Sequence, residues 1–177
     1  MLLRAASLAD THAIASALAG LARVGDIIVL AGEMGAGKTA FAQGFGEALG
    51  ITEPITSPTF TLLHSYDCPG KLTLHHADTY RLDSTGDVDE LGLLELAEFD
   101  GIVLVEWGDV AAAGLGTHLE VRLSNDDLDD EATGDGDQEL DDEFGLDEAR
   151  LIELEPTGRS WAGRWERLTQ VMEAFRC

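Results

Sequence analysis

The stretch Gly32-Glu33-Met34-Gly35-Ala36-Gly37-Lys38-Thr39 fits G-x-x-x-x-G-K-[ST] at every fixed position. A β-branched apolar run precedes it and a helical pattern follows, the setting in which this motif carries physical meaning. Glycines let the backbone curl so that successive N–H groups point at phosphate oxygens. The N-terminus of the following helix adds partial positive charge. Lys38 is one of two lysines in a chain of formal net charge −23. Its ammonium can bridge the β- and γ-phosphates of a nucleotide, and the Thr39 hydroxyl can ligate Mg2+. The scarce cation then has a reason: the negative charge it meets belongs to the ligand. Gly32, Gly35, Ala36, Gly37, Lys38 and Thr39 are therefore candidate nucleotide-binding residues.

A metal held between phosphates usually also meets a carboxylate at the end of a nearby buried strand. "IVLVEW" supplies Glu106, which makes Thr39 and Glu106 the candidate Mg2+ ligands. Trp107 is either a core aromatic or a wall of the site. Asp78 could hold an attacking water or cap a loop. Arg81 could neutralise transition-state charge or pair with an acidic surface. Thr59 offers a hydroxyl in a loop stiffened by Pro58. His75 and His76 should point to opposite faces of a strand, which argues against a shared metal ion. The one asparagine, Asn125, is followed by Asp126, so the N-K-x-D guanine signature is absent and ATP is favoured by exclusion.

These residues need elements to position them. "SLAD" at 7–10 is a Ser-x-x-Asp helix start; Ile14, Leu18 and Leu21 follow at helical spacing, and Gly25 closes the segment. "DIIVLAG", 26–32, reads as a buried strand. A helix from about 37 to 49 places Phe41, Phe45 and Leu49 on one face, with Gly50 at its end. "TFTLLHSYD" and "KLTLHHADTY" flank a Cys-Pro-Gly turn as a hairpin. "VDELGLLELAEF" reads as a short helix, and "GIVLVEW", 101–107, as a second buried strand. "HLEVRLS" and "ARLIELEP" alternate as antiparallel neighbours. A last helix carries Trp161, Trp165, Leu168, Met172 and Phe175 along one side, as core packing. The pattern predicts a layered α/β domain with a mixed, partly antiparallel sheet.

The 177 residues, 45% apolar, fit one domain. No apolar run is long enough to span a membrane, and Asp10 and His12 interrupt the N-terminal run, so an amphipathic helix explains that segment better than a signal peptide. Cys68 and Cys177 are too few for a disulfide framework or zinc site and imply free thiols in a cytoplasmic protein. Residues 125–148 hold 13 acidic and no basic residues, leaving 11 basic against 21 acidic elsewhere. Such a run predicts a mobile, solvated insertion within the single domain. With Gly134 or Gly136 at the turn position of an EF-hand, the twelfth residue is Leu140 or Asp142, so that pattern fails. The acidic balance argues against free-standing nucleic-acid binding.

Four further stretches, "SPTFTLLHSY" (57–66), "HHADTYRL" (75–82), "DELGLLE" (89–95) and "LVEW" (104–107), follow the glycine-rich loop in order. Together they resemble the TsaE (YjeE) family, P-loop ATPases of tRNA threonylcarbamoyladenosine synthesis, over about residues 7–124. The resemblance implies a P-loop NTPase-like three-layer fold that binds ATP and Mg2+ and hydrolyses ATP slowly alone. It implies partners resembling TsaD and TsaB, which modify adenosine 37 of tRNAs reading ANN codons, with tRNA met only through the complex. It implies phosphate binding by Gly35 to Thr39, Mg2+ on Thr39 and Glu106, and a switch-like loop at Ser57, Pro58 and Thr59. Asp78 and Arg81 match H-x-D-x-Y-R-L, Trp107 matches the Glu-Trp pair, and Thr11 lies near an adenine-contacting N-terminal segment. Gly108 stands where the family usually has proline, and Arg150 is a candidate for an arginine that approaches the nucleotide. Two other classes remain. One is a nucleotide-gated interaction module in which hydrolysis is incidental. The other is a small-molecule kinase, disfavoured because no lid with several arginines is visible.

Overall fold

The computed structural model describes residues 1–58, 60–82, 85–107, 114–126 and 149–177. One seven-stranded mixed sheet organises them. The strands are β1 (Leu2–Ala5), β2 (Ile27–Ala31), β3 (Leu63–Cys68), β4 (Leu72–Asp78), β5 (Gly101–Glu106), β6 (His118–Asn125) and β7 (Arg150–Thr157), in spatial order β1-β7-β6-β2-β5-β4-β3. The central strands β6, β2, β5 and β4 are parallel, and β3, β7 and β1 join antiparallel.

β2 and β5 are buried along their whole length, as their unbroken apolar runs require of strands covered on both faces. The period of two divides their side chains. Ile28, Leu30, Ile102 and Leu104 face a large apolar cluster with helices α1 (Leu8–Ala19) and α2 (Lys38–Ala48). Ile27, Val29, Val103 and Val105 face a smaller cluster with Leu93 and Ala97 of α4 (Leu93–Phe99). Helices on both faces of a mixed sheet make this the expected three-layer α/β architecture.

Local signals explain most boundaries. Ser7 caps α1 by accepting from the Asp10 N–H at 3.2 Å, and Asp10 accepts in return from the Ala6 N–H at 3.0 Å. The hairpin β3–β4 forms about the Cys-Pro-Gly turn, and β6 pairs antiparallel with β7. Trp161, Leu168 and Met172 are fully buried; Trp161 precedes helix α5 (Trp165–Val171), which ends in a short 3-10 turn, Glu173–Phe175.

Four expectations change. The last helix starts at Trp165 and does not include Trp161, and it gives way to a 3-10 turn before Phe175. α1 stops at Ala19, and Leu21 reaches the core from the turn beyond it. Residues 2–5 form a strand, because Leu3 and Ala5 bury one face while the backbone pairs with β7 from Leu2↔Glu153 to Ala5↔Arg150. The segment read as one helix at 88–99 is two, α3 (Thr85–Glu90) and α4, separated at Gly92 with φ +64°.

The acidic insertion lies outside the described residues from 127 to 148. Asp126 does not belong to it: its side chain is buried and accepts from Arg4 Nε at 2.5 Å. β6 and β7 pair as far as Asn125↔Arg150, so the insertion departs from and returns to neighbouring residues. Replacing 127–148 with a short Gly-Ser linker is therefore expected to leave ATP affinity within roughly tenfold of the original, or about 1.4 kcal/mol. Isothermal titration at low and high salt checks this; a larger loss at both salts would place nucleotide contacts in the insertion.

Candidate functional site

Open parallel sheets bind ligands beyond the carboxyl ends of their strands. Here β2 ends in the glycine-rich loop, while β4 and β5 end in Asp78 and Glu106, which are register partners. Alternation sets which side chains share a face: His76 and Asp78 on β4 and Glu106 on β5 lie on the α2 side.

The loop owes its shape to glycine. Gly32 has φ +137°, and a Cβ there would meet the Leu123 carbonyl oxygen at 2.2 Å, so β6 braces the loop from behind. Gly35 and Gly37 also have positive φ, at +82° and +95°. No side chain caps α2, which leaves its first-turn N–H groups for a ligand. Lys38 folds back along the loop, donating to Gly32 O at 2.9 Å and Glu33 O at 2.7 Å. Its ammonium also lies 3.7 Å from the centroid of the Trp107 ring.

Trp107 is held in an uncommon conformation, φ +60°, for so bulky a residue. Strain of this kind costs about 1–3 kcal/mol and needs surrounding contacts to hold it. The Trp107 N–H donates to Leu30 O at 3.0 Å, and the Thr79 hydroxyl shares its hydrogen between Glu106 O at 3.0 Å and Trp107 O at 2.9 Å. Tyr80 packs on the indole at 4.8 Å between ring centroids.

Glu106 is 2% exposed and sits between two donors. The Thr39 hydroxyl reaches Oε1 at 3.2 Å and Oε2 at 3.4 Å, and His76 Nε2 lies 2.9 Å from Oε1. A hydroxyl and a carboxylate meeting at the edge of a cleft are hard oxygen donors suited to Mg2+. Asp78 accepts from Ser57 Oγ at 3.2 Å and from the Tyr80 N–H at 2.9 Å. Gly35, Gly37, Lys38, Thr39, Ser57, Asp78, Glu106 and Trp107 line one cleft of about 350 Å³.

Other expected residues fall elsewhere. Gly32 and Ala36 line a second hollow of about 330 Å³ on the β6 side of the loop, with residues 122–125. Thr11 is buried in α1, its hydroxyl donated to Ser7 O at 3.3 Å, and it does not line the cleft. Arg81 is exposed, its guanidinium 5.4 Å from the Phe60 ring, and also lies outside the cleft lining. Thr59 and Gly108 lie outside the described residues. Arg150 is buried, and its Nε is 3.8 Å from the place a Cβ on Gly37 would occupy, so β7 brings a guanidinium behind the loop. His75 points away from His76, toward Ser65 Oγ at 2.8 Å from Nδ1 and Asp100 at 3.6 Å from Nε2. Among the described residues no three His, Cys, Asp or Glu gather to hold a metal. Both cysteines are free thiols, and burial pushes the Cys68 thiol up from its ordinary pKa. No described helix is long and apolar enough to cross a membrane.

A relative from Bacillus subtilis, "tRNA threonylcarbamoyladenosine biosynthesis protein TsaE", is 46% identical over 98 residues, 55% of this chain and 60% of its own length. One of the same name from Streptomyces coelicolor is 37% identical over 148 residues, 82% of this chain and 89% of its own. The crystal structure of YdiB from Bacillus subtilis superposes with a TM-score of 0.71 at 31% identity, covering 96% of this chain and 94% of that one. The family model for the threonylcarbamoyl adenosine biosynthesis protein TsaE matches residues 5–133, and the chain belongs to that family.

Proposed function

We propose that the protein is an Mg2+-dependent ATPase that supports threonylcarbamoylation of adenosine 37 in tRNAs reading ANN codons, together with TsaD- and TsaB-like partners in the cytoplasm. The observation that carries this reading is the convergence of Lys38, Thr39, Glu106 and Asp78 on one cleft beside the glycine-rich loop. Loop N–H groups and the start of α2 hold the phosphates, and Lys38 neutralises their charge. Mg2+ held by Thr39 and Glu106 would polarise the phosphoryl oxygens. Asp78, fixed by Ser57 and the Tyr80 backbone, orients the attacking water. The S-P-T and H-x-D-x-Y-R-L motifs assign Thr59 and Arg81 to the γ-phosphate side. Trp107 walls the cleft. The chain's net charge of −23 repels a tRNA backbone, so contact with tRNA runs through the partners.

Glu106→Gln keeps the size of the side chain and removes its charge. The gain in ATP affinity on adding Mg2+ is expected to fall about tenfold, while binding in EDTA stays unchanged. Calorimetric titrations in both conditions check this, and equal Mg2+ gains for the two proteins would give Glu106 a purely structural role. The gated-module reading draws on the exposed Met34, Phe60 and Tyr80, apolar side chains around the cleft and its flanking loop. Single-turnover hydrolysis with and without TsaD- and TsaB-like partners separates the two readings: the ATPase reading requires turnover that the partners change.

A further inference from the structure

We infer that His76 is a positioning residue for the Glu106 carboxylate, holding it turned toward Thr39. The inference rests on the metal-binding reading of Glu106. His76 is fully buried, and its Nε2 lies 2.9 Å from Glu106 Oε1. A carboxylate accepts only, so the hydrogen in this contact belongs to Nε2. Nδ1 is buried with no hydrogen-bond partner among the described residues, which leaves it no reason to carry that hydrogen instead. The tautomer is thereby set by the pair.

The sheet makes the contact possible. His76 is the register partner of Leu104, two residues before Glu106, so the two side chains meet diagonally on one face. The glutamate needs such a neighbour. It has three rotatable bonds, it is 2% exposed, and a carboxylate buried without donors is costly. The Thr39 hydroxyl reaches both oxygens, Oε1 at 3.2 Å and Oε2 at 3.4 Å, and His76 anchors the group through Oε1. A group that orients a metal ligand through its second oxygen tunes metal affinity, and its removal typically costs about 10–100-fold.

The test compares His76→Leu, which deletes the donor, with His76→Gln, whose amide nitrogen can replace Nε2. Calorimetry gives ATP affinity with Mg2+ and in EDTA. His76→Leu is expected to lose at least about tenfold of the Mg2+-dependent gain with EDTA binding unchanged, and His76→Gln to recover to within about threefold of wild type. A merely structural role would weaken both conditions alike and would not be rescued. Long-range 1H–15N spectra of the unmutated protein are expected to show the His76 hydrogen on Nε2. An undiminished Mg2+ gain in a folded His76→Leu protein overturns the inference while leaving the metal reading in place. Failure of the glutamine to rescue overturns it as well. Absence of any Mg2+ gain in wild type overturns both. Should His76→Leu not fold, the spectra decide, and a hydrogen on Nδ1 overturns the inference.

Discussion

Lys38→Ala is expected to lower ATP affinity by roughly 100-fold, with hydrolysis falling at least as far. The ammonium is the one side-chain cation lining the cleft among the described residues, and it is only 5% exposed, so water replaces it poorly. A hydrogen bond to a charged group contributes about 1.5–3 kcal/mol, and the upper figure corresponds to the expected loss. The fold should survive. Lys38 belongs to neither apolar cluster, and its two protein acceptors, Gly32 O and Glu33 O, lie in the loop itself. Circular dichroism and a thermal melt establish folding, and calorimetry then measures affinity. A folded variant that still hydrolyses ATP at the original rate would remove the phosphate-binding assignment of the loop.

Arg164→Ala is expected to cost about 3–5 kcal/mol of stability, because it strands a buried carboxylate. Arg164 donates to Asp26 through both terminal nitrogens, with Nη2 to Oδ1 at 2.7 Å. It also donates to Leu21 O and Ser160 O, each at 2.8 Å, and its guanidinium stacks 4.0 Å from the Trp161 ring. Asp26 is 4% exposed and, among the described residues, keeps only the Arg23 N–H, at 2.7 Å, once the guanidinium is gone. For a chain of this size each kcal/mol lowers the melting midpoint by about 2–4 °C. Asp26 immediately precedes β2, whose other end carries the glycine-rich loop, so ATP affinity measured well below the midpoint should hold. Thermal and urea unfolding check the first statement and calorimetry the second. A loss under about 1 kcal/mol would mean that water or a neighbouring group takes up Asp26 at little cost.

The parts of the fold that rest on local pattern were legible in the sequence. β2 and β5 show as unbroken apolar runs because both faces are covered, and α2 shows because its loop, its glycines and its apolar stripe agree. The parts that rest on pairing across long separations were not. β1 is four residues long and is a strand only because β7 lies beside it. Arg164 meets Asp26 across 138 residues, with nothing in either neighbourhood to announce it. The site divides the same way. Lys38, Thr39, Asp78 and Glu106 follow from motif and strand ends. His75 and His76 do face opposite ways, but the alternation alone does not tell what His76 touches: a glutamate on the next strand, visible only once the register is known. The placing of Thr11 was also illegible: inside a helix a threonine can give its hydroxyl to the preceding turn, as Thr11 does to Ser7 O.

The stacking of Lys38 on Trp107 has an optical consequence. The chain holds three tryptophans. Trp161 is sealed in the core against Arg164, and Trp165 is partly buried beside the same cluster. Only Trp107 borders the cleft, with an ammonium 3.7 Å from its ring centre and Tyr80 at its flank. Excited indoles respond to nearby charge, so a triphosphate arriving at this loop brings its negative charge within range of one emitter and leaves two as an internal reference. The protein thus carries a native fluorophore where the proposed chemistry takes place.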